Sequence, residues 1–116
     1  MTESLILRTE RQGHIAFFDV SGYINNTGGE QIADSCNDLI AEGIHHFIFD
    51  LDRCAAVNSV GISILIELIE KTKKLGGKLA FCRVNQTTSK AFRIMGLLQN
   101  SSLHDTRTQA EQALGL

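Results

Sequence analysis

Proline and tryptophan are absent from this 116-residue chain, and there is a single tyrosine. Cysteine is scarce too. Cys36, Cys54 and Cys82 are odd in number and far apart, and no spacing among them suggests a bridge. Cys82 lies in an apolar stretch, where a free cysteine behaves as a small buried hydrophobe. We therefore expect three free thiols in a reduced, cytoplasmic and soluble protein.

Long apolar runs are missing as well. The longest mainly apolar stretch covers residues 60–69 and is interrupted by Ser63 and Glu67, so it is far shorter than a membrane span. After Met1 the chain continues with Thr-Glu-Ser and only three apolar residues, which predicts no secretory signal. We expect no association with a membrane.

Charge of one sign does not accumulate anywhere. The net charge is −2, and the eleven lysines and arginines are dispersed, so no nucleic-acid partner is predicted. His45 and His46 have no cysteine or carboxylate at ligand spacing, which favours structural or exposed histidines over a metal site. The glycine-rich residues 22–29 lack the lysine and hydroxyl of a phosphate-binding loop, and no G-x-S-x-G elbow occurs. We predict no metal, no cofactor and no enzymatic activity.

The composition that remains is that of a folded domain. Hydrophobic residues make up 43% of the chain and charged residues 21%, and the length suits a single domain over residues 1–116. The patterns predict a hairpin turn at residues 11–13 and a polar connection at residues 21–29. They predict strands at 5–7, 15–20, 47–51, 78–84 and 102–104, and helices at 29–42, 60–75, 87–95 and 106–114. A hairpin followed by alternating helices and strands predicts an α/β fold with a mixed sheet of four to five strands and about four helices.

Residues 47–82 form the most informative part of the chain. They predict a buried strand, a short loop with Asn58 and Ser59, a helix from Val60, and a second buried strand. The first N–H groups of a helix lack intrahelical partners and carry the positive end of the helix dipole. Ser59 is therefore either the cap of this helix or the carrier of a phosphate that those N–H groups would stabilise.

The apolar residues of that helix occupy an arc of roughly 200°, wider than the ~100° stripe needed to pack on one sheet. One explanation is that neighbouring helices cover the surplus. The other is that Ile62 and Ile66 stay exposed beside Ser59 and belong to a docking surface. The periodicity alone favours neither explanation.

Four segments in order resemble the STAS domain of anti-sigma factor antagonists, and the resemblance covers essentially the whole chain. They are residues 20–25 (Val-Ser-Gly-Tyr-Ile-Asn), Asp50-Leu51 followed by residues 57–61 (Val-Asn-Ser-Val-Gly), residues 76–79 (Gly-Gly-Lys-Leu) and residues 92–97 (Phe-Arg-Ile-Met-Gly-Leu). In this bacterial family, the serine that matches Ser59 is phosphorylated by a partner that is both a serine kinase and an anti-sigma factor. The unphosphorylated antagonist binds that partner and frees a sigma factor for transcription.

Asn25 and Asn58 depart from the family, which usually has aspartate at both positions. An amide can still cap a helix or accept hydrogen bonds, whereas a role that requires negative charge would be lost. Loss of two negative charges near Ser59 would also reduce repulsion of an incoming phosphate. Both interpretations remain open at this point.

The resemblance implies a phosphorylation-gated regulator that is a monomer when free and binds an anti-sigma factor/serine kinase. Ser59 would be the phosphorylation site. The partner would contact Asn25, Asn26, Thr27, Asn58, Ser59, Val60, Ile62 and Ile66. The alternative is a constitutive STAS adaptor subunit of a transport or signalling assembly, without phosphorylation.

Overall fold

The computed structural model describes residues 5–115. Within them, five strands and four α-helices follow one another, with a short 3₁₀ turn at Leu97–Gln99. In chain order they are β1 (Ile6–Gln12), β2 (Ile15–Ile24), α1 (Asn26–Ala41), β3 (His46–Val57), α2 (Ser59–Lys74), β4 (Lys78–Cys82), α3 (Gln86–Ile94), β5 (Ser102–His104) and α4 (Arg107–Ala113).

The strands form one mixed sheet in the order β1-β2-β3-β4-β5. β1 and β2 pair antiparallel as a hairpin, and β2 through β5 run parallel, each joined to the next by a crossover that contains a helix. The predicted α/β class and mixed sheet are confirmed. None of the helices in residues 5–115 combines the length and apolarity needed to cross a membrane.

Helices cover both faces of the sheet, but unequally. The larger core lies between the sheet and α1, α2 and α3, and contains the rings of Phe18, Phe47, Phe49, Phe81 and Phe92. On the opposite face, α4 packs alone over a smaller apolar cluster formed by Ile15, Phe17, Ile48, Ala80, Cys82, Ala110 and Leu114. The second face is therefore covered by one short helix.

β1, β2 and β3 extend further than their apolar pattern predicts, whereas β4 ends at Cys82 rather than at Val84. The hairpin turn lies at Gly13 and His14 rather than at residues 11–13, because Arg11 and Gln12 pair with Ala16 and Ile15. Residues 21–24 continue β2 instead of forming a loop, and β3 continues to Val57, with register shifts between the two strands. The extended ends mix exposed polar residues such as Asp52 and Arg53 with core residues such as Ile24 and Cys54, so their sequence shows no continuous apolar run.

Candidate functional site

Two helices begin side by side at one end of the sheet. Ile24 and Val57, the last residues of β2 and β3, are register partners, and each is followed by a single residue before a helix starts. The Asn58 N–H donates to the Ile24 carbonyl oxygen at 3.1 Å. The N-termini of α1 and α2 therefore lie next to each other at the carboxyl ends of two parallel strands.

Both helices are capped by asparagine. The Gly28 N–H donates to Asn25 Oδ1, and the Gly61 N–H donates to Asn58 Oδ1, each at 2.8 Å. Capping needs an acceptor oxygen three residues before the donor, which an amide supplies as well as a carboxylate does. These bonds give a structural account of the two residues that depart from the family pattern. Because Asn25 provides the cap, α1 starts at Asn26 rather than at the predicted Gly29.

Ser59 is the first residue of α2 and is exposed. The cap position predicted as one alternative for this serine is occupied by Asn58. Within residues 5–115 no hydrogen bond of the Ser59 hydroxyl is found, and the Ser59 carbonyl accepts one from Ser63 Oγ at 3.0 Å. Of the two sequence-based readings of Ser59, the capping role is therefore wrong.

Glycine allows the two helix starts to approach the strands this closely. A Cβ atom at Gly61 would overlap the carbonyl oxygen of Ile24, and one at Gly28 would lie 2.7 Å from the carbonyl oxygen of Tyr23. Both obstacles are backbone atoms, which cannot move away as a flexible side chain would. The start of α2, and Ser59 with it, is held in a fixed position against β2.

The first turns of these two helices carry no carboxylate. Neither contains an acidic residue, and both caps are neutral amides. Ser59 therefore lies at the positive ends of two helices whose own first turns and caps add no negative charge, which is an arrangement that favours an added anion.

The remaining predicted contact residues do not all lie on the surface. Asn26, Thr27 and Val60 are exposed, with Val60 at 48% of its full accessible area, and Ile66 is half-buried against the larger core. Ile62 is only 4% exposed and belongs to that core. The expectation that Ile62 stays exposed is wrong, because neighbouring elements cover that part of the wide apolar arc of α2.

Sequence reasoning missed a second polar cluster, on the face opposite α1, α2 and α3. Asp50, 6% exposed in the middle of β3, receives hydrogen bonds from Arg83 Nε to both carboxylate oxygens, at 3.1 and 3.0 Å. The hydrogen bonds and the charge of Asp50 raise the pKa of Arg83 further above its already high value. A carboxylate within an apolar strand is a visible signal, but nothing in the sequence pointed to Arg83 as its partner.

His46 forms a hydrogen bond within the sheet, and the three cysteines are buried. His46 Nδ1 accepts a hydrogen bond from the Lys78 N–H at 3.1 Å, which ties the start of β3 to β4. Burial raises the pKa of Cys36 and Cys82 to about 12. Among residues 5–115 no group of three or more histidine, cysteine, aspartate or glutamate side chains is placed to hold a metal ion.

Solved structures with the same fold come from different kinds of protein. An anti-sigma factor antagonist from Mycobacterium paratuberculosis superposes with a TM-score of 0.84 at 22% identity, over 97% of this chain and 96% of that chain. The phosphorylated form of the Bacillus cell fate determinant SpoIIAA gives 0.75 at 17% identity, over 93% and 98%. A sulfate transporter family protein from Wolinella succinogenes gives 0.75 at 17% identity, over 90% and 87%. At these identities the likeness establishes the fold.

The family is established by sequence. Residues 7–110 match the family model of the STAS domain. The matched segment includes both capped helix starts, Ser59 and, apart from Ile6, all five strands. The family predicted from the four sequence segments is therefore confirmed, and this chain belongs to the STAS domain family.

Proposed function

We propose that this chain is an anti-sigma factor antagonist that binds an anti-sigma factor with serine kinase activity, and that phosphorylation of Ser59 releases this partner. The observation that carries the proposal is the exposed Ser59 hydroxyl, which is not used for capping and lies at the start of α2 beside the start of α1. The chain acts by binding rather than by catalysis, as a monomer in the cytoplasm.

The free domain accommodates a phosphate on Ser59. A negative charge in the first turn of a helix stabilises that helix by about 0.3–1 kcal/mol. Here two neighbouring N-termini contribute, and neither has an acidic residue in its first turn. The neutral amides of Asn25 and Asn58 add no repulsion. Phosphorylation is therefore expected to leave the fold intact.

The same phosphate opposes docking. Ser59 is followed directly by the exposed side chain of Val60, and Ile66 lies further along α2. A partner that covers this surface removes water from a phosphate with a charge of roughly −2, which is costly unless the partner supplies paired cations. Binding is lost without a conformational change in the antagonist.

The proposed contact surface has two sides. Asn25, Asn26 and Thr27 form the side at the start of α1. Asn58, Ser59, Val60 and Ile66 form the side along α2. Ile62 contributes by holding α2 in place from the core.

Intact-mass spectrometry tests the modification. The chain is incubated with ATP and the anti-sigma factor/serine kinase proposed as its partner. We expect the mass of one phosphate on the wild-type protein and on Ser63→Ala, and none on Ser59→Ala. Ser63 is the matched control because it is also an exposed serine, one turn further along the same helix.

Calorimetry tests the consequence for binding. Ser59→Ala is expected to bind the kinase whether or not ATP is present. Ser59→Asp is expected to bind at least about tenfold more weakly, or about 1.4 kcal/mol, while remaining folded. Equal affinities of the two variants, together with unmodified wild-type protein, would contradict the proposal.

That contrary result would favour a second function, a constitutive STAS adaptor subunit of a transport or signalling assembly. Neutral asparagines at both positions where the family usually has aspartate support it, as does the shared fold with a sulfate transporter family protein.

A further inference from the structure

The sheet face opposite α1, α2 and α3 is only partly covered. α4 lies over the start of the parallel strands, where the Arg107 guanidinium stacks on the Phe17 ring at 3.8 Å and forms an ion pair with Glu10 at 2.9 Å. Beyond Phe17, towards the ends of β2 and β3, no helix of the described chain packs on this face. A cavity of about 200 Å³ lies there, lined by Ile6, Val20, Ser21 and the charged residues Arg8, Asp19, Asp50, Asp52, Arg53 and Arg83.

One wall of this cavity is rigid. Arg83 holds the buried Asp50 through both carboxylate oxygens, and its Nη1 lies 3.7 Å from the carboxylate of Asp52. Arg83 also has a φ of 55°, a left-handed conformation that is uncommon for a residue other than glycine and that clusters at functional sites. Arg83 is the only cation paired with these two carboxylates, so one negative charge on this wall is not balanced within it.

The remaining charged groups of the cavity, on Arg8, Asp19 and Arg53, form no such ion pairs in the described part of the chain. Arg8 and Asp19 are register partners across the β1–β2 hairpin. Even so, no ion pair within 4.0 Å joins them, and none involves Arg53, among residues 5–115. Two guanidinium groups and one carboxylate therefore face the cavity with their charges available, beside the hydroxyl of Ser21.

We propose that this cavity binds a small acidic zwitterion, a molecule of amino-acid size with two carboxylates and one ammonium group. The carboxylates pair with Arg8 and Arg53, since guanidinium and carboxylate form strong charge-assisted hydrogen bonds. The ammonium group pairs with Asp19. The size agrees, because the cavity is smaller than the roughly 300–1,000 Å³ typical of drug-sized ligands. The proposal is independent of Ser59 and of the partner proposed above.

Two probes that differ in one group test this assignment. L-aspartate has the proposed charge pattern, and succinate has the same two carboxylates without the ammonium group. Each is titrated into ¹⁵N-labelled full-length protein at constant ionic strength. We expect L-aspartate to shift the amide signals of Ser21, Asp50 and Arg83 with a Kd of about 1 mM or tighter, and succinate to bind at least about threefold more weakly.

Variants locate the site. Arg53→Gln is expected to weaken L-aspartate binding by about tenfold or more, and Asp19→Asn to abolish the preference over succinate. Arg11→Gln is the matched control, because Arg11, like Arg53, is an exposed arginine on a strand but lies on β1 and pairs with Glu42, outside the cavity. The control is expected to bind L-aspartate like the wild type.

Three results would each overturn the proposal. The first is the absence of shifts at the cavity amides up to about 10 mM L-aspartate. The second is an unchanged response in Arg53→Gln. The third is equal binding of succinate and L-aspartate by the wild-type protein.

Discussion

At the start of α2, two adjacent polar residues differ in what they contribute to the fold. Asn58 satisfies the Gly61 N–H with its side chain, so the Ser59 hydroxyl is not needed to cap the helix. Under the proposed function, this division of tasks would let Ser59 be modified while the Asn58 cap stays in place.

Stability measurements on single variants test this division of tasks. Asn58→Ala removes the cap and is expected to lower the free energy of unfolding by about 1 kcal/mol, within a range of about 0.5–2 kcal/mol. Asn58→Asp keeps the acceptor and is expected to be as stable as the wild type or more stable. Ser59→Ala is expected to change stability by less than about 0.5 kcal/mol. Urea unfolding measures all three, and a Ser59→Ala loss as large as that of Asn58→Ala would identify Ser59 as the cap after all.

His46 introduces a dependence of stability on pH. Its Nδ1 can accept the Lys78 N–H only when that nitrogen carries no proton. Burial lowers its pKa, and His45, Lys78 and His14 lower it further by charge repulsion. The unfolded chain therefore takes up a proton on His46 at a higher pH than the folded chain does. Stability contributed by this residue is present above the unfolded pKa of about 6.5 and decreases as the pH falls below it.

Thermal unfolding between pH 5 and 8 checks this expectation. His46→Asn keeps an acceptor in a similar position but does not titrate. The wild type is expected to lose more stability than this variant between about pH 6.5 and pH 5. Parallel pH profiles for the two proteins would show that His46 does not contribute.

At the scale of the elements, α2 and β3 meet through apolar side chains in the larger core. Leu65 on α2 is 1% exposed and Leu51 on β3 is 2% exposed. Their surroundings are tightly packed, and a truncated side chain there leaves a cavity.

Leu65→Ala is expected to lower the free energy of unfolding by about 2–5 kcal/mol. Ile94→Ala is the control, because Ile94 is 72% exposed and its truncation is expected to cost less than about 0.5 kcal/mol. Denaturant midpoints compare the two variants with the wild type. A Leu65→Ala midpoint equal to that of the wild type would disprove the core position.

The order and type of all nine main elements could be predicted from periodicity, glycines and helix-start residues. The ends of β2 and β3 could not, because residues such as Ser21 and Arg53 belong to strands only through pairing with each other. Burial of Ile62 depends on how the neighbouring elements cover α2. The ion pair of Asp50 with Arg83 joins residues 33 positions apart and depends on where β4 ends. Local sequence signals contain none of this tertiary information.

For the whole molecule, the two apolar clusters enclose every cysteine. Cys36 and Cys54 lie in the larger cluster and Cys82 lies under α4, and all three are free and buried. Burial raises all three thiol pKa values, those of Cys36 and Cys82 to about 12. Very little thiolate, the form that reacts, is present near neutral pH.

Thiol titration therefore reports on opening of the whole domain. At pH 8 the native protein is expected to react with Ellman's reagent only slowly, at a rate that rises as denaturant promotes unfolding. In full denaturant without reductant, three thiols per chain are expected from protein kept free of air. Rapid reaction of the native protein, or fewer than three thiols after unfolding, would contradict the buried and unbridged cysteines.

The order of the strands also bears on synthesis. Because every strand pairs with the strand that precedes it in the chain, the sheet can grow in the direction in which a ribosome releases it. Translation at about 5–20 residues per second leaves seconds between the emergence of one strand and the next. Each growing intermediate keeps β1 as one edge of the sheet and has its newest strand as the other. The last edge, β5, is three residues long and offers little to a neighbouring nascent chain.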